Sequence, residues 1–319
     1  MGRWILRSRI LRPKDGSATL FLSRDVRSNS EIVNALRIDR LAALYIASPL
    51  IKCLSSRRRF VPILMYHSIT DSHESGVHAY YRTTTAPDVF AAHMRYLHEK
   101  GYRTINLDEA VNYVSDGLES TSKFVVITFD DGYSDFYRAA FPVLNEQGFS
   151  ATVFLPTAFV GETQSPSKGR SCLTWREVRE LLNNGILFGS HTVTHPQLST
   201  LPPKAVNQEI VDSKRTIEDE TGCAVESFAY PYAFPETDHD FTKRLREQLS
   251  AAGYKNGVCT ALGTADSTND PFFMKRLPVN SWDDQAFFAA KLNGAYDWLA
   301  KPQYLVKTAK RWAGGLSSY

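Results

Sequence analysis

From Phe60 onward, compact apolar runs alternate with longer stretches whose apolar residues recur every third or fourth position. Short uninterrupted apolar runs bounded by turn residues read as buried strands. They place strands at 60–66, 124–129, 151–156, 186–190, 225–230, 255–260 and 276–279. Between them the helical period predicts helices at 134–147, 174–184, 203–221, 238–252 and 283–293, with another near the C-terminus. An earlier helix covers Pro87 to Lys100, with a stripe of Phe90, Met94 and Leu97, and Gly101 stops it. The polar stretch from Ser68 to Thr85 reads as a long loop over a site.

Strand–helix alternation of this length implies an α/β fold of parallel strands with helices outside, as a barrel or an open sheet. Either way, chemistry collects at the carboxyl ends of the strands. Residues 1–58 lack the alternation and read as an N-terminal extension to a domain at 59–319. Within it, Leu41 to Leu54 is apolar but interrupted by Pro49 and Lys52, short of the ~20 residues a span requires. A helix packed on the main domain is the ordinary reading; a membrane-surface helix backed by Arg57, Arg58 and Arg59 is the other.

Bulk composition narrows the picture modestly. With 319 residues, 43% of them hydrophobic, the chain can bury a full core. A net charge of +3, spread along the chain, gives no footprint for nucleic acid. The four cysteines form no Cys-x-x-Cys pair, which points away from a zinc knuckle or a disulfide framework. Met1 to Arg12 shows neither a long apolar core nor a small-residue cleavage site, so a cytoplasmic location is expected, while the apolar stretch at 41–54 allows peripheral membrane attachment.

The predicted strand ends carry the candidate chemistry. Asp130 and Asp131 follow one strand, and Gly132 follows them; His191 and His195 follow another about sixty residues later. Asp-Gly alone shapes turns, and a His-x-x-x-His pair alone is weak. Both at strand ends of one parallel sheet favour a three-ligand metal site of Asp131, His191 and His195, with Asp130 left over as a base. Such a cation keeps positions open for water and a substrate oxygen, and lowers the pKa of water from 15.7 to about 7.

These residues resemble the polysaccharide deacetylase family, also called carbohydrate esterase family 4 or NodB-homology domains. Its first motif, Thr-Phe-Asp-Asp-Gly, stands here as Thr128-Phe129-Asp130-Asp131-Gly132, and its second, His-[Ser/Thr]-x-x-His, as His191-Thr-Val-Thr-His195. The resemblance, over roughly residues 60 to 280, implies a distorted (β/α) barrel of about seven strands with a mostly helical N-terminal extension. It implies Asp130 as catalytic base and a divalent metal on Asp131, His191 and His195, zinc first, with cobalt or nickel as alternatives.

Two departures from the family pattern are informative. The third motif, Arg-x-Pro-Tyr/Phe, is here Ala229-Tyr230-Pro231-Tyr232, without its arginine. The Tyr232 N–H keeps the role of oxyanion donor, with Tyr230 and Pro231 beside it as substrate contacts. Arg276 either replaces the lost arginine or makes a surface ion pair. The family's C-terminal histidine acid is also missing, since the last histidine is His239. His67, at the end of the first strand, resembles the permuted arrangement of the subgroup that modifies poly-β-1,6-N-acetylglucosamine, with Asp270 as a candidate to orient it.

Other residues weigh less. His93 and His98 read as surface or packing positions, and His73 and His78 as solvated loop residues, with sugar contact the less common alternative. Trp175, Trp282, Tyr80, Tyr81 and Tyr232 are candidates for stacking on sugar rings, with core packing the safer reading for the tryptophans. The expected activity is metal-dependent hydrolysis of the N-acetyl group of N-acetylglucosamine units in an oligo- or polysaccharide. The alternatives are deacylation of another acylated or lipid-linked sugar, and a catalytically idle sugar-binding module.

Overall fold

The computed structural model describes residues 37–54, 59–72, 74, 77, 81–115, 122–161, 169–306 and 308. Residues 1–36, Arg57, Arg58, His73, His78 and Tyr80 lie outside these.

Seven parallel strands close into a barrel: β1 (Ile63–Tyr66), β5 (Lys123–Phe129), β6 (Thr152–Leu155), β7 (Leu187–Ser190), β8 (Ser227–Ala229), β9 (Asn256–Leu262) and β10 (Met274–Pro278). Closure is made by β1, which pairs with β10 through Leu64↔Leu277 and with β5 through Ile63↔Val126 to Tyr66↔Phe129. The first strand in the chain therefore lies between the last one and the strand that carries the two aspartates. That wedge brings His67, Asp130 and Arg276 onto neighbouring strands.

Three short strands escape the apolar-run pattern. β2 (Ser68–Ile69) and β3 (Thr84–Thr85) pair with each other within the stretch expected to be loop. β4 (Tyr102–Thr104) adds to the first half of β5. A helix at Leu107–Ser115 was also not expected. It delivers Leu107, Ala110 and Val114 to a cluster with Ile63, Val126, Phe154, Ala229, Val258 and Met274, almost one residue per strand. That cluster fills the barrel interior, and the helix seals it. Alternate strand residues, such as Leu64, Ile127 and Phe129, instead join the larger core beneath the outer helices.

Gly189 on β7 is part of this packing. A Cβ there would lie 2.5 Å from Phe154 Cε1 and 2.9 Å from the Ser227 carbonyl oxygen. The space is already taken by the Phe154 ring, which supports the site from below. Gly189→Ala is expected to cost about 1–3 kcal/mol through overpacking, read as a lower thermal midpoint.

Residues 38–54 are helical, with a wide turn at Ala43–Ala47 between Ile38–Ala42 and Ser48–Leu54. Pro49 accounts for the widening: it lacks an N–H, and its ring crowds the carbonyl four residues back. Ala43 is buried in the outer core, Asp39 accepts a 2.7 Å bond from the Tyr296 hydroxyl, and Arg40 donates to Asp284 at 3.0 Å. This half of the extension thus packs on the barrel. No helix among the described residues is long and apolar enough to cross a membrane.

Candidate active site

The site is assembled where β5, β7, β8 and β10 end, beside the residue that follows β1. Among the described residues, four that are not glycine have positive φ, namely Asp131 (71°), Thr192 (71°), His195 (54°) and Tyr232 (57°). This region is costly for L-residues and is held only when the surroundings over-determine it. All four lie in the motif turns, so the local strain sits where functional side chains are aimed.

The left-handed turn at Asp131 sends the adjacent carboxylates to different partners. Asp131 Oδ1 lies 3.3 Å from His195 Nε2 and 3.7 Å from His191 Nε2, and the two Nε2 atoms are 3.1 Å apart. A tetrahedral ion with bonds of about 2.0–2.2 Å sets its ligand atoms roughly 3.3–3.6 Å apart, so this triangle has the size one divalent cation requires. The donor chemistry agrees. His191 Nδ1 donates to the Ala229 carbonyl at 2.8 Å, which leaves its Nε2 lone pair for a ligand. Burial, and then the proximity of His191, lower the His195 pKa to about 4, so its ring is neutral. Three acceptors converge on one point that a cation would satisfy.

The second motif is not helical. His191 is held by a bond from its N–H to the Leu155 carbonyl (3.0 Å), and the His195 N–H donates to Thr192 Oγ1 (3.0 Å). Glu209, on the helix Pro203–Thr221, accepts from the Val193 and Thr194 N–H groups and from the Thr194 hydroxyl at 2.7–2.9 Å. It ties down the loop between the two imidazoles. Sequence reading overlooked Glu209, because nothing in its helical surroundings marks it.

Asp130 is 2% exposed and is gripped by Arg276, whose Nη1 and Nη2 donate to Oδ1 and Oδ2 at 2.7 Å each. Arg276 is itself 1% exposed, so the surface ion pair among its two readings is excluded. Its Nε donates to the Cys259 carbonyl (3.1 Å) and Nη1 also to Thr128 Oγ1 (3.2 Å). Burial pushes the Asp130 pKa up, but the Arg276 charge, His191, the paired hydrogen bonds and His67 outweigh it. The carboxyl is held well below the usual range and stays ionised.

His67 Nε2 lies 3.9 Å from Asp130 Oδ2, on the open side of the pair, with 18% of its side chain exposed. The Asp130 N–H donates to the carbonyl of Tyr66 at 3.0 Å, which fixes the two strand ends together. Asp270 does not serve His67. Its carboxylate accepts from Arg246 Nε at 2.9 Å and from the Phe272 N–H, and the expected orienting role is corrected accordingly.

Tyr232 is 51% exposed, with its ring 4.6 Å from that of His195. Its carbonyl accepts from the Thr260 hydroxyl (2.9 Å), and no described residue engages its N–H. Tyr230 and Pro231 part company with the expectation of substrate contact. Tyr230 is 1% exposed and packs edge-on against Phe234 at 5.1 Å, and Pro231 is buried. The left-handed backbone at Tyr232 breaks the strand alternation and turns its ring outward, while Tyr230, two residues earlier, stays in the core. His93 is likewise a core residue, stacked on Phe288 at 4.0 Å and bonded to the Tyr66 hydroxyl and the Asp283 carbonyl. His98 is exposed, Trp175 packs against the core, and Tyr81 and Trp282 are exposed, Trp282 under Arg82.

The fold and site define a parallel barrel in which a carboxylate–imidazole triangle that could hold a cation lies beside an arginine-locked aspartate. Comparisons with known proteins agree. The polysaccharide deacetylase family model matches residues 117–257. Putative polysaccharide deacetylase YxkH of Bacillus subtilis (strain 168) is 30% identical over 230 residues, 72% of this chain and 75% of that protein. This chain belongs to the polysaccharide deacetylase family. It is also 27% identical over 139 residues to the poly-beta-1,6-N-acetyl-D-glucosamine N-deacetylase of Escherichia coli (strain K12), covering 40% of this chain and 20% of that protein. Among solved structures, Streptococcus pyogenes deacetylase PplD in complex with acetate is similar with a TM-score of 0.63 at 25% identity, covering 74% of this chain and 99% of that one. IcaB from Ammonifex degensii shares the fold (TM-score 0.60, 24% identity, 73% and 97% covered).

Proposed function

We propose that this protein hydrolyses the N-acetyl group of N-acetylglucosamine units in an oligo- or polysaccharide, releasing acetate. The observation that carries the reading is the triangle of Asp131, His191 and His195 next to an ionised, immobilised Asp130. Similarity to the E. coli N-deacetylase supports the sugar class. When bound to the three ligands, a divalent cation such as zinc, cobalt or nickel supplies Lewis acidity for the hydrolysis.

The chain's own groups divide the rest of the work. Asp130 accepts a proton from the attacking water, and Arg276 fixes the direction from which it does so. The Tyr232 N–H donates to the oxygen of the acetamide carbonyl as negative charge develops there. His67 donates a proton to the departing nitrogen, so water and amide yield acetate and a free amine. A retained, ionised Asp130 has no use in a module that merely holds sugar, which favours turnover over binding alone.

Acetate release from N-acetylglucosamine oligomers tests this directly. Activity is expected with added zinc or cobalt and is expected to fall by more than about tenfold after chelation. His67→Ala is expected to lower kcat by about 10²–10⁴-fold. Unchanged turnover in that variant would remove His67 from the reaction, and no release from any such oligomer would sink the activity itself.

A further inference from the structure

The helical segment 38–54 is inside out. At its start the charged residues face the protein: Arg37, just before it, is 7% exposed and paired with Asp39 at 2.6 Å, Asp39 takes the Tyr296 hydroxyl, and Arg40 reaches Asp284. Its outward residues are apolar. Ile38, Leu41, Tyr45, Ile46, Leu50 and Ile51 are 67%, 43%, 73%, 62%, 54% and 40% exposed. A surface helix normally does the reverse. Apolar residues gathered on the solvent side of one short element mark an interaction surface rather than ordinary scatter.

A second exposed apolar group, with Leu305 at 65% and Val306 at 55%, follows Tyr296, whose hydroxyl bond to Asp39 links the two segments.

Charge identifies what covers this face. No acidic residue occurs from Arg40 to Thr70, where Lys52, Arg57, Arg58 and Arg59 lie. None occurs after Asp297, where Lys301, Lys307, Lys310 and Arg311 lie. Arg59 is taken up by the Tyr113 carbonyl and ring, and Lys52, Arg57 and Arg58 have no acid near them in sequence. Exposed apolar side chains in a stretch whose charges after Asp39 are all cations match a bilayer surface carrying anionic lipid, with the apolar groups at the acyl boundary and the cations at the phosphates. No helix among the described residues is long and apolar enough to cross a membrane.

We propose that the outward face of residues 38–51 docks this protein on an anionic membrane surface, a property independent of its deacetylase activity. The test is co-sedimentation of the full chain with vesicles of phosphatidylcholine containing phosphatidylglycerol, against vesicles of phosphatidylcholine alone. The chain is expected to sediment with the anionic vesicles and to be released by salt. The variant Tyr45→Ser/Ile46→Ser/Leu50→Ser is expected to bind at least about tenfold more weakly, with its thermal midpoint and acetate release from soluble oligomers unchanged. Equal sedimentation of the variant, or no preference for anionic vesicles, overturns the proposal. So does a wild-type dimer that the variant converts to monomer in light scattering, because a second copy would then be the occupant.

Discussion

Asp130→Asn should reduce kcat by about 10²–10⁴-fold, the contribution of a positioned general base, with little change in KM. The substitution keeps the shape of the side chain and removes its charge. An amide has no proton-accepting oxygen of comparable basicity, and its NH₂ would face an Arg276 nitrogen where Oδ2 now accepts at 2.7 Å. A donor facing a donor inside the barrel also destabilises the fold, since Arg276 would be left buried and half-paired. Steady-state rates should therefore be measured alongside the thermal midpoint, at a temperature where both proteins are folded. Wild-type turnover by the folded variant would show that Asp130 is not the base.

Arg276→Met is expected to be the most destabilising single change near the site, costing about 3–5 kcal/mol, because it strands a buried carboxylate. Its pH dependence distinguishes this cause from lost packing. In the wild-type protein the Asp130 carboxyl lies below its unfolded value of 3.8. The pair's stabilisation is therefore complete above about pH 4 and is lost as the pH falls through the lower, folded-state value. Without Arg276, burial is opposed only by His191 and His67 and the carboxyl is expected to move above its unfolded value, so the variant's folded state binds its proton more readily than the unfolded chain does. The stability gap between wild type and variant should thus be widest near pH 7 and shrink towards pH 4. Urea unfolding at both values reads it, and a gap independent of pH would leave only a packing role for the arginine. Arg276→Lys should restore little, since an ammonium cannot reproduce the two parallel bonds.

The vesicle experiment bears on a different part of the molecule. Residues 38–51 touch neither Asp130 nor the imidazoles, so loss of docking and loss of turnover are separable outcomes.

Much of this protein is written locally. The apolar run Phe124 to Phe129 is buried along most of its length because parallel barrel strands are covered on both faces, and such a run is legible without any neighbour. The helix at 203–221 has the predicted bounds, between Pro202 and a left-handed Gly222, because both ends are marked by residues with fixed backbone preferences. The two motifs were legible for the same reason: a turn at a strand end needs particular residue types in a fixed order. Short strands such as Tyr102–Thr104 were not, since three residues carry no period. Tyr230 misled because a motif position does not reveal which side of the backbone faces the core.

What the fold alone decided is the meeting of distant residues. Arg276 and Asp130 are 146 positions apart, and nothing along the chain pairs them. Closure of the ring by β1 and β10 does so, and burial then turns an ordinary ion pair into a rigid bidentate clamp. The chain order specified which groups were available for chemistry. Only the curvature of the sheet, by bringing its first and last strands together, determined which of them come within reach of one another.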